Sequence, residues 1–197
     1  MERLRIVPAN EVTWDDLQSV LTGPAAKCQC ERQRLGDRDW WYMPVTERED
    51  LFRTESGCDD PRATSTTGIV GFSEDEPVAW CAVDRRATFG RLRGSPVPWK
   101  GRLEDKDDES VWAIACLVVR KGYRGRGYTY PMVAAAVDFA RSRGAAAIEG
   151  YPMVTGGREV IWDELNVGPV GPFAAAGFTE VSHPTKRRVV MRRDLAL

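Results

Sequence analysis

The sequence has a single histidine, His183, and no Cys-x-x-Cys pair. It therefore lacks the ligand spacing of a closed four-ligand zinc site. Cys28 and Cys30, with Cys58, invite a metal hypothesis, but without paired motifs or further histidines we expect no metal. Five cysteines are an uneven number at unmatched spacings. This is typical of reduced thiols and not of a disulfide framework.

Long apolar runs and an excess of one charge are also missing. No stretch approaches the length that crosses a bilayer, and Met1–Arg5 contains no apolar signal region. We therefore expect a cytoplasmic protein with no membrane partner. Lys and Arg number 28 against 29 Asp and Glu, a formal net charge of -1. A dedicated nucleic-acid binder usually has a strong basic excess, so we expect no nucleic-acid partner. The length of 197 residues predicts one domain over residues 1–197.

One stretch combines three different patterns in succession. Val111–Val119 is an apolar run that predicts a buried strand, and Arg120–Gly127 is a basic loop with three glycines. Apolar residues then recur at helical spacing, at Met132, Val133, Ala136, Val137 and Ala140. A loop that enters a helix presents free backbone N–H groups at the positive end of that helix. Arginine adds further donors. The stretch therefore predicts a phosphate or pyrophosphate site.

The rest of the chain alternates between segments with a clear helix or strand pattern and segments without one. Thr13 predicts the N-cap of a helix that carries Leu17, Val20 and Leu21, and Gly23-Pro24 is expected to end it. A second helix is expected from Thr46, and a brief one over Phe173–Phe178. Strands are expected over Leu4–Pro8, Thr67–Phe72, Pro77–Val83, Ala145–Tyr151, Thr179–Val181 and Arg188–Arg192. Ala26–Tyr42 shows no regular pattern. Arg85–Ser110, rich in charge, Gly and Pro, predicts a long surface loop.

The order of strand, Arg124-Gly125-Arg126-Gly127 loop, helix, strand and Gly177-Phe178 ending resembles the GNAT acyltransferases. The signature of that family is a strand Val, four residues, Arg or Gln, two residues, Gly, one residue, then Gly or Ala. Val119, Arg124 and Gly127 fit it, and Thr129 stands where the small residue is expected. The threonine hydroxyl could cap the helix or meet a phosphate oxygen.

The resemblance implies a fold, a cofactor and a set of binding residues. The expected fold is a mixed α/β (α+β) domain, with a mostly antiparallel central sheet, a parallel splayed strand pair and flanking helices. The cofactor is acetyl-CoA or another acyl-CoA. Loop amides would hold its pyrophosphate, and backbone groups of the strand would pair with its pantetheine arm. The cofactor residues expected on this basis are Leu117, Val118, Val119, Arg124, Gly125, Arg126, Gly127, Tyr128 and Thr129.

The catalytic groups are less clear, because the chain departs from the family twice. Many members have a Glu in the central strand, where this chain offers only apolar residues and Cys116, and many have a Tyr where Phe173 stands. The remaining candidates for acid and base are Glu149, Glu109, Tyr151 and Asp84. We favour Glu149, because the parallel strands are expected to part near the acyl group. For each candidate a merely solvated or structural role is the alternative. For Cys116, core packing is preferred over nucleophilic catalysis.

Trp40, Trp41 and Tyr42 are candidates for the substrate pocket, where aromatic rings could stack on an amine. The alternative is that they pack helices against the sheet. The favoured function is direct transfer of an acetyl or other acyl group from acyl-CoA to a primary amine of a small molecule. The alternatives are a catalytically weak acyl-CoA-binding module and acylation of a macromolecule, either a protein amine or an aminoacyl-tRNA. The sequence leaves the oligomeric state open, a homodimer included.

Overall fold

The computed structural model describes residues 3–156 and 165–195, with the backbone alone at residues 37 and 38. The described strands form one seven-stranded sheet in the order β1-β2-β3-β4-β5-β7-β6. Their bounds are Arg5–Pro8 (β1), Ile69–Ser73 (β2), Glu76–Arg85 (β3), Val111–Val119 (β4), Ala147–Gly150 (β5), Thr179–Thr185 (β6) and Arg188–Asp194 (β7). Six pairs of neighbours make up this order, and all are antiparallel except β4 with β5. The predicted sheet with one parallel pair is confirmed.

Helices cover both faces of this sheet. Their bounds are Trp14–Val20 (α1), Pro24–Cys28 (α2), Glu31–Arg34 (α3), Asp37–Tyr42 (α4), Val45–Ser56 (α5), Gly90–Gly94 (α6), Thr129–Ser142 (α7) and Val170–Ala175 (α8). Short 3-10 turns lie at Ala9–Glu11 and Arg86–Thr88. As predicted, the Thr13 side chain caps α1 by accepting from the amide of Asp16. Gly23-Pro24 does not end that helix but begins α2, with Pro24 in its first turn.

Two apolar layers hold the sheet between its helices. On one face, α7 buries Met132, Val133, Ala136 and Val137 against strand residues that include Ile114. On the other face, α1 and α5 bury their apolar residues against Trp80, whose indole ring meets Phe52 edge-on at 5.3 Å between ring centroids. Burial of apolar surface on both faces is the main stabilising contribution in such a layered domain.

Two segments differ from the sequence-based expectation. Ala26–Tyr42, expected to be irregular, contains the last residues of α2 and the whole of α3 and α4. The segment Arg85–Ser110 is not simply a surface loop, because it forms a 3-10 turn and α6 and buries Phe89, Leu92 and Trp99. Phe89 and Leu92 join a small core with β4, which supplies the apolar contacts that a solvated loop would lack. Charged and small residues surround these few apolar ones, so no periodicity is visible in the sequence.

Among the described residues, no helix is long and apolar enough to cross a membrane.

Candidate functional site

The parallel pair β4–β5 opens into a cleft. The two strands are in register only from Val111 opposite Ala147 to Ile114 opposite Gly150. The ring of Phe173 on α8 sits against Gly150 so closely that a Cβ there would lie 2.1 Å from its Cε1 atom. Phe173 is completely buried. The ring therefore lies where the pairing of β5 with β4 ends, and β4 continues to its last residue, Val119, paired with β3 but not with β5.

A cavity of about 590 Å³ lies along this part of β4, at the edge that β5 no longer covers. One wall comes from β4 and the basic loop, and the other from the α2–α4 region and the segment before α8. Of the nine predicted cofactor residues, the cavity is lined by Leu117, Val118, Val119, Arg124, Gly125, Gly127, Tyr128 and Thr129. Arg126 does not line it; this arginine is exposed and donates to the carbonyl of Gly122 at 3.3 Å.

The loop between β4 and α7 uses glycine where its backbone requires it. Gly122, Gly125 and Gly127 have φ angles of +94°, +79° and +79°, a region that only glycine adopts without strain. This backbone turns the loop directly into the first turn of α7. The N-cap residue Tyr128 makes no side-chain cap, and Thr129 is the first helical residue and so does not occupy the N-cap position. The positive end of α7 thus adjoins the cavity, as an anion-binding loop requires.

The cavity-facing edge of β4 already has protein partners. The amide of Leu117 donates to the carbonyl of Asn166 at 2.6 Å. The carbonyl of Val119 accepts from Nε of Arg124 at 3.0 Å. Asn166 could not be identified from the sequence, because its segment carries no motif. The side chain of Arg124, expected to bind phosphate, also fixes the end of the strand.

A strained turn shapes the opposite wall. Gln29 and Cys30, between α2 and α3, have φ angles of +50° and +58°, which are unusual for residues other than glycine. Gln29 is buried, and its side-chain amide makes two reciprocal hydrogen bonds with the side-chain amide of Gln18 on α1, at 2.8 and 3.0 Å. These bonds hold the turn so that Cys28 and Cys30 line the cavity beside Cys116.

The cavity thiols are poor nucleophiles in this setting. A hydrogen bond with Cys116, together with burial, raises the pKa of the Cys30 thiol well above its usual value. Burial, followed by the influence of Cys30, raises the pKa of Cys28 to about 11. Since the thiolate is the reactive form, neither group is activated. In the described residues no group of three or more His, Cys, Asp or Glu side chains could hold a metal ion.

Glu149, the favoured base, lies in a closed cluster of ions. Its carboxylate is fully buried and accepts from Arg86 at 3.1 Å, from Arg102 at 2.5 and 3.2 Å, and from Arg192 at 3.2 Å. The hydroxyl of Tyr151 donates to the same carboxylate at 3.1 Å. Neither Glu149 nor Tyr151 lines the cavity.

The electrostatics of this cluster do not favour proton transfer. Burial alone would raise the pKa of Glu149, but the hydrogen bonds and charge of Arg102, with Arg86, outweigh it and lower the pKa below its ordinary value. Burial and the charge of Glu149 raise the pKa of Tyr151 well above its usual value. A carboxylate held by three guanidinium groups is a weak proton acceptor, which differs from the sequence-based expectation for Glu149.

The other acid candidates lie away from the cavity. Glu109 is exposed in the turn before β4, eight residues before Leu117 and thus roughly 26 Å along the strand. Asp84, at the end of β3, pairs with Arg34 at 2.8 Å. Neither residue lines the cavity.

Of the three aromatic candidates on α4, only Trp40 lines the cavity. Trp41 and Tyr42 are 72% and 79% exposed. The indole ring of Trp40 already has two guanidinium groups near it, Arg48 at 4.4 Å and Arg32 at 5.2 Å from the ring centroid. A cationic amine would meet like charges there, and the structure does not bring the three candidate side chains Trp40, Trp41 and Tyr42 together in the cavity.

The charged residues among the described cavity lining are all basic: Lys27, Arg32 and Arg124. Lys27 and Arg32 could not be identified from the sequence, because they lie in the segment Ala26–Tyr42, which shows no regular pattern. The described cavity lining therefore favours anions over cations, with a backbone loop and Arg124 on one wall and Lys27 and Arg32 on the other.

Comparison with known proteins places this geometry in a family. Residues 33–151 match the model of the acetyltransferase (GNAT) family. The match covers more than half of the chain and includes β4, the loop and α7. The chain belongs to the GNAT acetyltransferase family, whose members generally transfer an acyl group from acyl-CoA.

Solved structures share the fold at low sequence identity. A GCN5-related N-acetyltransferase from Kribbella flavida is 15% identical, with a TM-score of 0.56 over 98% of both chains. A ribosomal-protein-alanine N-acetyltransferase from Brucella melitensis is 14% identical, with a TM-score of 0.54 over 98% of this chain and 100% of its own. A putative phosphinothricin N-acetyltransferase is 16% identical, with a TM-score of 0.54 over 99% and 100%. No curated protein sequence matches the chain.

Proposed function

We propose that this protein is an acyl-CoA-dependent N-acyltransferase that acetylates a primary amine of a small molecule by direct transfer. The observation that carries the proposal is the cleft itself. The edge of β4 separates from β5 at Gly150, and the same cavity continues to the glycine loop at the start of α7. An elongated cofactor with a pyrophosphate at one end and a thioester at the other fits that arrangement.

The proposed roles follow from the positions of the residues. Loop amides from Arg124 to Thr129 bind the pyrophosphate at the positive end of α7. The N–H of Leu117 and the backbone of Val119 pair with the pantetheine arm and polarise the thioester carbonyl. The N–H of Leu117 becomes available to the cofactor once its hydrogen bond to the carbonyl of Asn166 is broken. Cys116 next to Leu117 stays a packing residue, since the described residues that line the cavity include no carboxylate or histidine that could act as its base.

Direct transfer is tested with the wild-type protein and an acceptor panel. We expect release of CoA thiol in proportion to acetylated amine, both measured by mass spectrometry. With acetyl-CoA and no acceptor, the intact mass of the protein should stay unchanged; an acetylated protein that transfers its group to an amine would show a covalent intermediate instead.

Gly127→Val should abolish turnover, because φ at Gly127 is +79°, while Gly144→Val, at a comparable φ of +78° outside the cleft, should retain it.

A non-catalytic acyl-CoA-binding module is the second candidate. It is favoured by the lack of any Asp or Glu among the described cavity-lining residues and by Phe173 in place of a tyrosine. Tight binding of acetyl-CoA without turnover on a broad amine panel would establish this second function.

A further inference from the structure

Three of the five free cysteines line the cavity, namely Cys28, Cys30 and Cys116. Cys28 is half-buried, and Cys30 and Cys116 each have 6% of their surface exposed. A small molecule that enters the cavity meets these thiols there. The proposed cofactor roles make no use of Cys28 and Cys30, so acyl transfer does not explain why both thiols lie on the cavity wall.

The sheet places Cys116 close to the sulfur of Cys30. On β3, Ala82 is paired with Cys116 and lies two residues after Trp80. Because side chains alternate between the two faces of a sheet, Trp80 and Cys116 lie on the same face, in one buried cluster with Cys30. The indole N–H of Trp80 donates to Sγ of Cys30 at 3.1 Å. A hydrogen bond also joins the thiols of Cys30 and Cys116, so their sulfur atoms are neighbours.

A strained turn holds Cys30 in this position. The φ angle is +50° at Gln29 and +58° at Cys30, and residues other than glycine keep such a backbone only where surrounding contacts hold it. Those contacts are the two hydrogen bonds between the side chains of Gln29 and Gln18, and a third from Nε2 of Gln29 to the carbonyl of Ala26 at 2.8 Å. The turn therefore fixes the sulfur of Cys30 against β4.

We propose that Cys30 and Cys116 are a redox-sensitive pair, which a low-molecular-weight disulfide entering the cavity converts reversibly into a Cys30–Cys116 disulfide. One of the two thiols loses its proton, and its sulfur attacks the small disulfide, whose S–S bond breaks and releases one small thiol that takes up the proton. The sulfur of the second cysteine then attacks the sulfur of the first and releases the other small thiol in the same way. The two protein thiols lose two electrons in total, and the small disulfide is reduced to two thiols.

The raised pKa of Cys30 affects the rate of this exchange and not its product. The thiolate is the attacking form, so burial slows an attack by Cys30 at neutral pH. The closing step is favoured because the two sulfur atoms are already held together. All five cysteines are free in the structure, which therefore shows the reduced state. In reducing compartments a disulfide of this kind is transient and senses the redox state.

The disulfide changes the cavity. An S–S bond is about 2 Å long, shorter than a hydrogen bond between two thiols, so it draws the turn at Cys30 toward β4 and brings the two cavity walls closer together. Cys116 precedes Leu117, whose N–H is proposed to pair with the pantetheine arm. We therefore expect weaker binding of acetyl-CoA to the oxidised protein. This consequence, unlike the disulfide itself, rests on the proposed function.

The test exposes native wild-type protein to hydroxyethyl disulfide at about pH 8.5, where more of each thiol is ionised. The protein is then alkylated in denaturant, and its peptides are mapped by mass spectrometry. We expect alkylation of three of the five cysteines and one pair of peptides joined through Cys30 and Cys116. The affinity for acetyl-CoA should fall about fivefold or more, and dithiothreitol should restore both the thiols and the affinity.

Two variants and a matched control complete the test. Cys30→Ser, which keeps a hydrogen-bond acceptor for Trp80, and Cys116→Ala should each lose the disulfide and keep their affinity for acetyl-CoA in the presence of the oxidant. The control is Cys58→Ser, at a buried cysteine outside the cavity, which should behave as the wild type.

The possible outcomes separate the inference from the proposed function. No reaction, mixed disulfides without a link between the two cysteines, or a link between Cys28 and Cys30 would overturn the inference. A Cys30–Cys116 disulfide with unchanged affinity for acetyl-CoA would overturn its effect on the cavity. Absence of acetyl-CoA binding to the reduced wild-type protein would instead contradict the proposed function and leave the disulfide result standing.

Discussion

The amide of Leu117 and the carbonyl of Asn166 lie 2.6 Å apart and form a hydrogen bond across the open edge of β4. The segment before α8 thus occupies the backbone donor that the proposed cofactor would use. Binding of acetyl-CoA along β4 has to replace this bond, an exchange of one hydrogen bond for another with a small net energy.

This exchange predicts a local change in the backbone of β4. Addition of acetyl-CoA should shift the ¹H–¹⁵N signal of Leu117 strongly, because its acceptor changes. Val70, which is paired with Trp80 inside the sheet, provides a reference signal that should not move. If the signals of the glycine loop shift but the signal of Leu117 does not, the cofactor binds without displacing the carbonyl of Asn166.

A second prediction concerns the close approach of Gly150 and Phe173. A Cβ at position 150 would lie 2.1 Å from the Phe173 ring, so Gly150→Ala should destabilise the fold by about 2 kcal/mol through overpacking. Gly94→Ala, where a Cβ meets nothing within 4 Å, is the matched control. Adding Phe173→Leu should recover part of the loss in denaturant unfolding. Purely additive losses would show that the two residues do not share the strain.

A third prediction distinguishes a structural role of Glu149 from a catalytic one. Glu149→Gln leaves three arginines without their buried anion and should cost about 3 kcal/mol or more, whereas Glu104→Gln, at the 45% exposed partner of Arg102, should cost less than about 1 kcal/mol. Because the folded pKa of Glu149 lies below 4.5, its contribution is complete above pH 4.5 and is lost as the pH falls through the lower folded value. Unchanged stability with a large loss of kcat would restore Glu149 as the base.

The neighbouring carboxyl groups of Glu31 and Glu55 give a fourth prediction, in which stability changes with pH in the opposite direction. The pKa of Glu31 is raised to about 8, so the folded state retains a proton that the unfolded state loses above pH 4.5. Stability should therefore decrease as the pH rises from 4.5 to 8. Glu31→Gln should raise the melting temperature at pH 8 and much less at pH 5, while the exposed Glu47→Gln should do neither. An equal effect of Glu31→Gln at both pH values would contradict the assignment.

The parts that could be predicted from the sequence are those that neighbouring residues determine. The apolar strand, the glycine loop and the helix after it occupy consecutive residues, so their order could be read directly, and eight of the nine expected cofactor residues line one cavity. The cluster at Glu149 could not be predicted in this way. Its arginines, Arg86, Arg102 and Arg192, are 63, 47 and 43 residues away along the chain.

The cavity wall that lies opposite β4 could not be predicted for a related reason. Lys27 and Arg32 lie on helices of five and four residues, too short to show a period. The reciprocal bonds of Gln18 and Gln29 position them across eleven residues of chain. Tertiary hydrogen bonds, and not local propensity, determine that wall.

The central claim is that the cleft between β4 and the start of α7 holds acyl-CoA. Equilibrium binding of acetyl-CoA to wild type, Gly125→Ala and Gly144→Ala tests it most directly. Both glycines have positive φ, +79° and +78°, with open space for a Cβ, so each substitution should cost about 1 kcal/mol of stability through backbone strain. The account predicts saturable binding to the wild type, a loss of about tenfold or more in affinity for Gly125→Ala, and unchanged affinity for Gly144→Ala. Equal affinity of all three proteins, or no binding by the wild type, would contradict it.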